Sequence, residues 1–254
     1  NSLSRAALHR RWWLNDPDCL LLRPGLLLSQ VEMHTLAAVI ALSGGLLLLS
    51  DDLAALPPER MRLAHSLLPP IGQRPFVLDW FDSSTPARLR LDLSAPVGNW
   101  HLLALFNWQD EPQDLTLRLA DFRLDPAESW WEVECWSQRV FQITAGERVF
   151  PGVPAHGGVL LALRPCQPGQ PQYLGGDLHV SQGLEVSAWK AGPGGVHLEL
   201  QRPGYSQGEV YLSLPFVPQQ ALLDGAPIPF RPAAIPGCYI FPLSFDHQAT
   251  LDIM

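Results

Sequence analysis

Apolar residues recur at helical intervals from Val31 to Leu42, and both flanks carry matching signals. Ser29 stands where a helix needs an N-cap, Glu32 follows at the capping-box spacing, and Gly44 suits the left-handed end of the last turn. Upstream, Leu3–Arg11 reads as the end of another helix, and Trp12–Asn15 is a short apolar run that stops at Asp16-Pro17. Downstream, the leucines at 46–49 lie between Gly45 and Ser50-Asp51-Asp52, which predicts a fully buried parallel strand. Pro57-Pro58 then open a helix over Glu59 to Leu68, which Pro69-Pro70 close. The order helix, strand, helix, strand, helix belongs to an α/β sheet or barrel.

From about Arg74 the period shortens to two. Alternating runs recur at Arg88–Leu93, Trp100–Trp108, Leu115–Leu119, Trp130–Trp136 and Gly158–Leu163, separated by Pro, Gly, Asn and Asp. Most of the prolines fall in this part, where they mark turns and strand edges. The pattern predicts an antiparallel β-sandwich. A Pro/Gly/Gln stretch at Pro165–Pro171 separates it from further runs at Glu185–Trp189, Val196–Leu200, Glu209–Leu214, Ala221–Leu223 and Tyr239–Leu243. Three regions are therefore expected: residues 1–72, α/β; residues 73–166, an antiparallel β-sandwich; and residues 172–254, a second small β-rich domain.

Composition narrows the function classes. With 47% hydrophobic and 17% charged residues the chain has the makeup of a packed protein and not of a disordered one. No apolar stretch reaches the roughly 18 residues of a membrane-spanning helix, because Ser43-Gly44-Gly45 interrupts the longest. A net charge of −8, one lysine (Lys190) and scattered arginines argue against a nucleic-acid partner. No charged segment followed by an apolar one marks a signal peptide, and a cytoplasmic location is expected. The cysteines (Cys19, Cys135, Cys166, Cys238) are far apart and read as buried free thiols.

The chemistry-bearing stretch is Trp12-Trp13-Leu14-Asn15-Asp16-Pro17-Asp18-Cys19-Leu20. Its acidic and amide groups stand where an apolar run ends, and in an α/β barrel that rim forms the active site. Asp51 and Asp52 end the leucine run in the same way, so four carboxylates are expected to gather on one rim. Asn-Asp-Pro-Asp is equally good turn chemistry, since these side chains bond nearby backbone amides. Asp16 and Asp18 cannot flank a scissile glycosidic bond as acid and nucleophile, because i and i+2 on an extended segment point the same way. No ligand cluster accompanies the Asp-x-Asp spacing, and there is no phosphate-binding glycine loop or nucleophile elbow, so no metal or cofactor is expected. The nine tryptophans read mainly as core. Trp130 and Trp131 must face opposite sides, which predicts that one of them is exposed. His156 reads as a turn residue, and His179, in Gly176-Asp177-Leu178-His179, has no visible Cys or carboxylate triad around it to act as nucleophile and base.

The stretch His9–Leu20 together with Leu46–Leu53 resembles the last two strand–helix units of the catalytic (β/α)8 barrel in glycoside hydrolase family 36, largely α-galactosidases. Leu105-Phe106-Asn107-Trp108 and Pro154–Val159 resemble that family's C-terminal β-domain, so the resemblance spans about residues 1–165. It implies a retaining glycosidase acting on terminal α-galactosides or related oligosaccharides, with two catalytic aspartates, the nucleophile in a Lys-x-Asp context. No Lys-x-Asp occurs here, so both aspartates and the rest of the barrel are expected upstream of Asn1, and the 254 residues alone are expected to be inactive. By resemblance Asp18 and Cys19 line the sugar pocket, while Trp13, Asn15, Asp16 and Asp51 support the loops. The sandwich is expected to brace the barrel and to offer contacts for a homo-oligomer. The competing expectation is a non-catalytic carbohydrate-binding or assembly protein built on the β-domains.

Overall fold

A computed structural model describes residues 2–82 and 84–254. Its elements are mostly strands, and the larger sheets are antiparallel. Backbone contacts divide the chain into two units: Asn1–Asp92, His101–Glu128 and Ile143–Leu161 form one, and Leu93–Trp100, Ser129–Gln142 and Ala162–Met254 form the other.

The first unit opens with helix α1 (Ser2–Ala6), strand β1 (Cys19–Leu20), helix α2 (Gln30–Ser43), strand β2 (Leu48–Leu49) and helix α3 (Pro58–Ser66). Helix α2 carries the expected caps. The Ser29 hydroxyl accepts from the Glu32 amide at 3.2 Å, and the Glu32 carboxylate accepts from the Ser29 amide at 2.8 Å. Hydrogen bonding of the carboxylate by the Ser29 backbone amide, and by its side chain after that, holds the Glu32 carboxyl below its ordinary value. Gly44 ends the helix at φ +76°, a region that disfavours side chains, and a Cβ there would strike the Gln73 carbonyl.

Strands β1 and β2 pair in parallel, Cys19 with Leu48 and Leu20 with Leu49. The leucine run is not buried: Leu46 is 50% and Leu48 42% exposed. Trp12–Asn15 makes no strand either; Trp13 forms an isolated bridge with His9, and Trp12 and Leu14 are exposed. A strand buries its side chains only where neighbours cover it, and β2 is matched here to one two-residue partner.

The rest of the unit is β3 (Phe76–Val77), the first parts of β4 (Arg88–Ala95) and β10 (Gly158–Pro165), the later part of β5 (Gly98–Phe106), and the separate antiparallel pair of β6 (Gln113–Arg118) and β9 (Glu147–Val153). Strands β3, β4, β5 and β10 are neighbours in that order. Leu89, Leu91, Leu102, Leu103, Leu160 and Leu161 are buried from them.

In the second unit β10 continues beside β7 (Trp130–Glu134) and β8 (Arg139–Ile143). All five positions of β7 are buried, so Trp130 and Trp131 are both enclosed, and the expectation that one is exposed is corrected. A second sheet is built on two long strands, joined by β11 (Gln172–Gly176), β12 (Val186–Gly192), β14 (Ala221–Leu223), β15 (Ala226–Pro227) and β16 (Arg231–Pro232). The long strands are β13 (Gly195–Ser213) and β17 (Cys238–Ile253), antiparallel from Val196↔Ile253 to Ser213↔Cys238. The two runs read at Val196–Leu200 and Glu209–Leu214 are thus one strand, and the Pro203-Gly204 interruption is absorbed in a register shift between Gln201 and Tyr205. Leu198, Leu200, Val210, Leu212, Phe241 and Leu251 form its core. Cys135 and Cys238 are buried thiols, whereas Cys19 and Cys166 are only half-buried. No described helix is long and apolar enough to cross a membrane.

Candidate functional site

The corner before β1 is held from behind by Asn15. Its backbone amide donates to His9 Nδ1 at 3.0 Å, and its side-chain Nδ2 reaches the carbonyls of Ser2 and Ser43, each at 3.3 Å. Asn15 is fully buried and ties the end of α2 to the start of the chain. His9 was read only as part of the motif, yet its ring is the acceptor on which this clamp rests. Burial is the main reason its pKa lies below the ordinary 6.5; the nearby Gly72 backbone partly offsets it, and the Arg10 charge adds to the lowering.

In front of the clamp lie the two aspartates. The Asp16 carboxylate accepts the Asp18 amide at 2.9 Å, and Asp18 accepts the following Cys19 amide at 2.7 Å. Asp18 sits at φ +74°, in the left-handed region that Asp tolerates better than most residues. Both aspartates are exposed, and Cys19 is half-buried at the first position of β1. The Asx-type turn and an exposed carboxylate therefore coexist, so the turn reading and the binding reading describe one structure.

Asp51 differs in every respect. Its side chain is enclosed and accepts the amides of Leu22 and Arg23, the latter at 3.0 Å, and the Arg23 guanidinium, also at 3.0 Å. Burial alone would raise its pKa, but these bonds and the Arg23 charge overcome it and hold the carboxyl below its usual value. Arg60, on α3, donates to the carbonyls of Leu22 and Arg23 at 2.7 and 2.8 Å, which fixes the same turn. Asp52 accepts the Ala54 amide at 3.1 Å and caps a short 3-10 turn, Leu53–Ala55.

The expected gathering of four carboxylates on one rim is corrected. Asp16 and Asp18 precede β1, whereas Asp51 and Asp52 follow β2, and the two strands are parallel. The register sets Asp18 near Leu47, about 13 Å of extended chain short of Asp51. The error came from placing a strand at Trp12–Asn15, which would have put Asp16 and Asp18 at a strand's C-terminal end. Trp13 packs edge-on against Trp12 with ring centroids 6.1 Å apart, and it is 40% exposed. Along with Trp12, Leu14, Leu46 and Leu48 it leaves the corner with exposed apolar side chains on both segments. Among the described residues no group of His, Cys, Asp and Glu could hold a metal ion.

With this geometry in view, the chain can be set beside solved proteins. Its fold is similar to that of α-galactosidase I from Mortierella vinacea, with a TM-score of 0.51 and 16% identity, over 64% of this chain and 42% of that one. It is similar also to a GH27 β-L-arabinopyranosidase from Geobacillus stearothermophilus, with a TM-score of 0.52 and 14% identity, over 66% of this chain and 40% of that one. The likeness is one of fold. The chain spans about two fifths of the length of these enzymes. No family model matches it.

A buried network in the second unit escaped the sequence reading. Arg164 is enclosed, donates to the carbonyls of Leu174 at 2.9 Å and Gln182 at 2.5 Å, and stands 4.6 Å over the Trp100 ring. Burial lowers its pKa to about 10, against the opposing pull of Tyr173, Glu185 and Cys135. Glu185 accepts from the Tyr173 hydroxyl at 2.5 Å and the Gly183 amide at 2.8 Å; burial outweighs these bonds and raises its pKa. His179 does find a hydroxyl, with Nδ1 2.6 Å from Ser181 Oγ, but both are fully buried and Ser181 also accepts the Leu184 amide, so the pair fixes a turn. His156, at φ +54°, occupies the turn before β10.

Proposed function

We propose that the chain is the C-terminal part of an α-galactosidase-like retaining glycoside hydrolase, of family 36 or a close relative. The observation that carries this reading is the exposed apolar face around β1 and β2. Leu14 is 67%, Leu46 50% and Leu48 42% exposed beside a parallel pair two residues long. Covering a leucine side chain contributes roughly 1.5–3 kcal/mol, so these positions favour further parallel strands laid against them. In the enzyme, such strands would complete a (β/α)8 barrel and bring the nucleophilic and acid/base aspartates.

In this arrangement Asp18 is the sugar-facing group. Its carboxylate, exposed on the left-handed residue that leads into β1, accepts hydrogen bonds from sugar hydroxyls. Cys19 lines the wall next to it, and Asn15, Asp16, Trp13 and Asp51 hold the loops. No proton is transferred by these residues; they bind and orient the sugar. The substrate is a terminal α-galactoside or a related oligosaccharide, and the 254 residues alone do not turn it over.

The test is hydrolysis of an aryl α-galactoside by this chain and by a version extended N-terminally through the earlier barrel strands. Turnover is expected only from the extended version, and Asp18→Ala in it should lower kcat/KM about ten- to a hundredfold. Equal turnover by both, or none from the extended version, refutes the reading.

A further inference from the structure

The first unit holds a groove away from the corner, with a volume of about 590 Å³, in the range of small-molecule sites. None of Trp13, Asn15, Asp16, Asp18, Cys19 or Asp51 lines it. Its walls come from the residues entering β4, from those leaving β5 and from the start of β6, and they include Trp108, Asp79, Asp82, Arg88 and Asp114.

Trp108, Asp79, Arg88 and Asp114 are held by contacts within the chain before any ligand arrives. The half-buried Trp108 indole donates to the Pro86 carbonyl at 2.8 Å and stacks on Phe106, with centroids 4.9 Å apart and planes at 27°. Behind it, Asn107 Nδ2 donates to the carbonyls of Glu111, Val153 and Pro154 at 2.9–3.0 Å, so the backbone that carries the ring is pinned. Arg88 is partly exposed and held among carboxylates, 3.7 Å from Asp79, 3.8 Å from Asp82 and 3.3 Å from Asp121. The buried Asp79 accepts the amides of Ala87 and Arg88 at 2.9 and 3.2 Å. Asp114 accepts the Gly152 amide at 2.7 Å, and the Asp82 side chain is 70% exposed.

The charge pattern selects the ligand. Three wall carboxylates repel an anion, and the Arg88 guanidinium, held 3.3–3.8 Å from carboxylates, offsets part of their charge and sets donors beside acceptors. A neutral molecule with many hydroxyls suits both, donating to Asp82 and Asp114 while accepting from Arg88. An aromatic ring beside such groups packs the apolar C–H face of a pyranose. We propose that this groove is a saccharide-binding site, with a neutral sugar ring on Trp108 and its hydroxyls on Asp82, Asp114 and Arg88. The site is separate from the corner and does not rest on the glycosidase reading.

The experiment is a titration of the chain with raffinose and with maltotriose, followed by intrinsic tryptophan fluorescence. A saturable change with either sugar is expected, abolished by Trp108→Ala and weakened about tenfold by Asp82→Asn. Asp82 is exposed, so its variant decides the matter if Trp108→Ala does not fold. No saturable change with either sugar overturns the proposal. So does a change that survives Asp82→Asn at full strength, or one that survives Trp108→Ala and disappears in Asp18→Asn, which would place the sugar at the corner.

Discussion

Strands β13 and β17 mix apolar with polar residues while β2 lies in an all-leucine run, yet the first pair runs through 19 and 16 residues and strands β1 and β2 through two each. The difference lies in what surrounds them. Strands β13 and β17 have neighbours on both edges and a core beneath, and Leu198, Leu212 and Leu251 are fully buried. Strands β1 and β2 have each other, and although Leu20 of β1 is buried, Leu48 and Leu49 of β2 stay partly in water. Hydrophobicity proposes a strand; partners extend and bury it.

The contrast can be broken most forcefully at the network in the second unit. Arg164→Ala removes the donor to two buried carbonyls and the cation over Trp100, and should destabilise the chain by about 3–5 kcal/mol in denaturant unfolding. A loss near zero would mean that the network is ornamental. Next come two leucines of unlike surroundings. Leu198→Ala, at a fully buried position, should cost about 2–5 kcal/mol, whereas Leu48→Ala should stay within about 0.5 kcal/mol. Similar losses at both would erase the distinction between the regions.

Smaller effects sharpen the picture within the first unit. Ser29→Ala removes half of the capping box on α2 and should lower stability by about 1 kcal/mol, read as a shift in the denaturant midpoint with an unchanged slope. The smallest expected effect is a pH dependence from His9. Its folded pKa lies below 6.5, so the unfolded chain binds more protons between the two values. Its contribution is therefore fully present above about pH 6.5 and falls as the pH drops from there through the folded pKa, where protonation turns Nδ1 from acceptor to donor. Unfolding curves of the chain and of His9→Gln should converge toward acid; parallel curves at every pH would remove His9 from the clamp.

How much was legible follows the same division. The caps of α2, the proline-bounded α3 and the alternating strands β4, β5 and β10 depend on local signals, and the structure has them near the expected bounds. The length of β13 was not legible, because a Pro-Gly pair reads as a turn unless a long partner such as β17 carries the ladder past it. Strand β11 and the Arg164–Tyr173–Glu185 network were hidden in the Pro165–Pro171 surroundings, since buried polar partners far apart in sequence leave no periodic trace. At the corner the residues were legible and their placement was not. Asn-Asp-Pro-Asp-Cys stands out in any reading, but whether it ends one strand or begins the next depends on pairing that Trp12–Asn15 does not make.

The central proposal is that the exposed leucines beside this pair, Leu14, Leu46 and Leu48, form a seam that further strands would cover. Hydrogen exchange of the amides of residues 19–21 and 46–49 tests it most directly, measured in this chain and in the version extended through the earlier barrel strands. The account predicts rapid exchange in the chain alone and strong protection after extension. Equal protection in both would contradict it, because the pair would then already be complete.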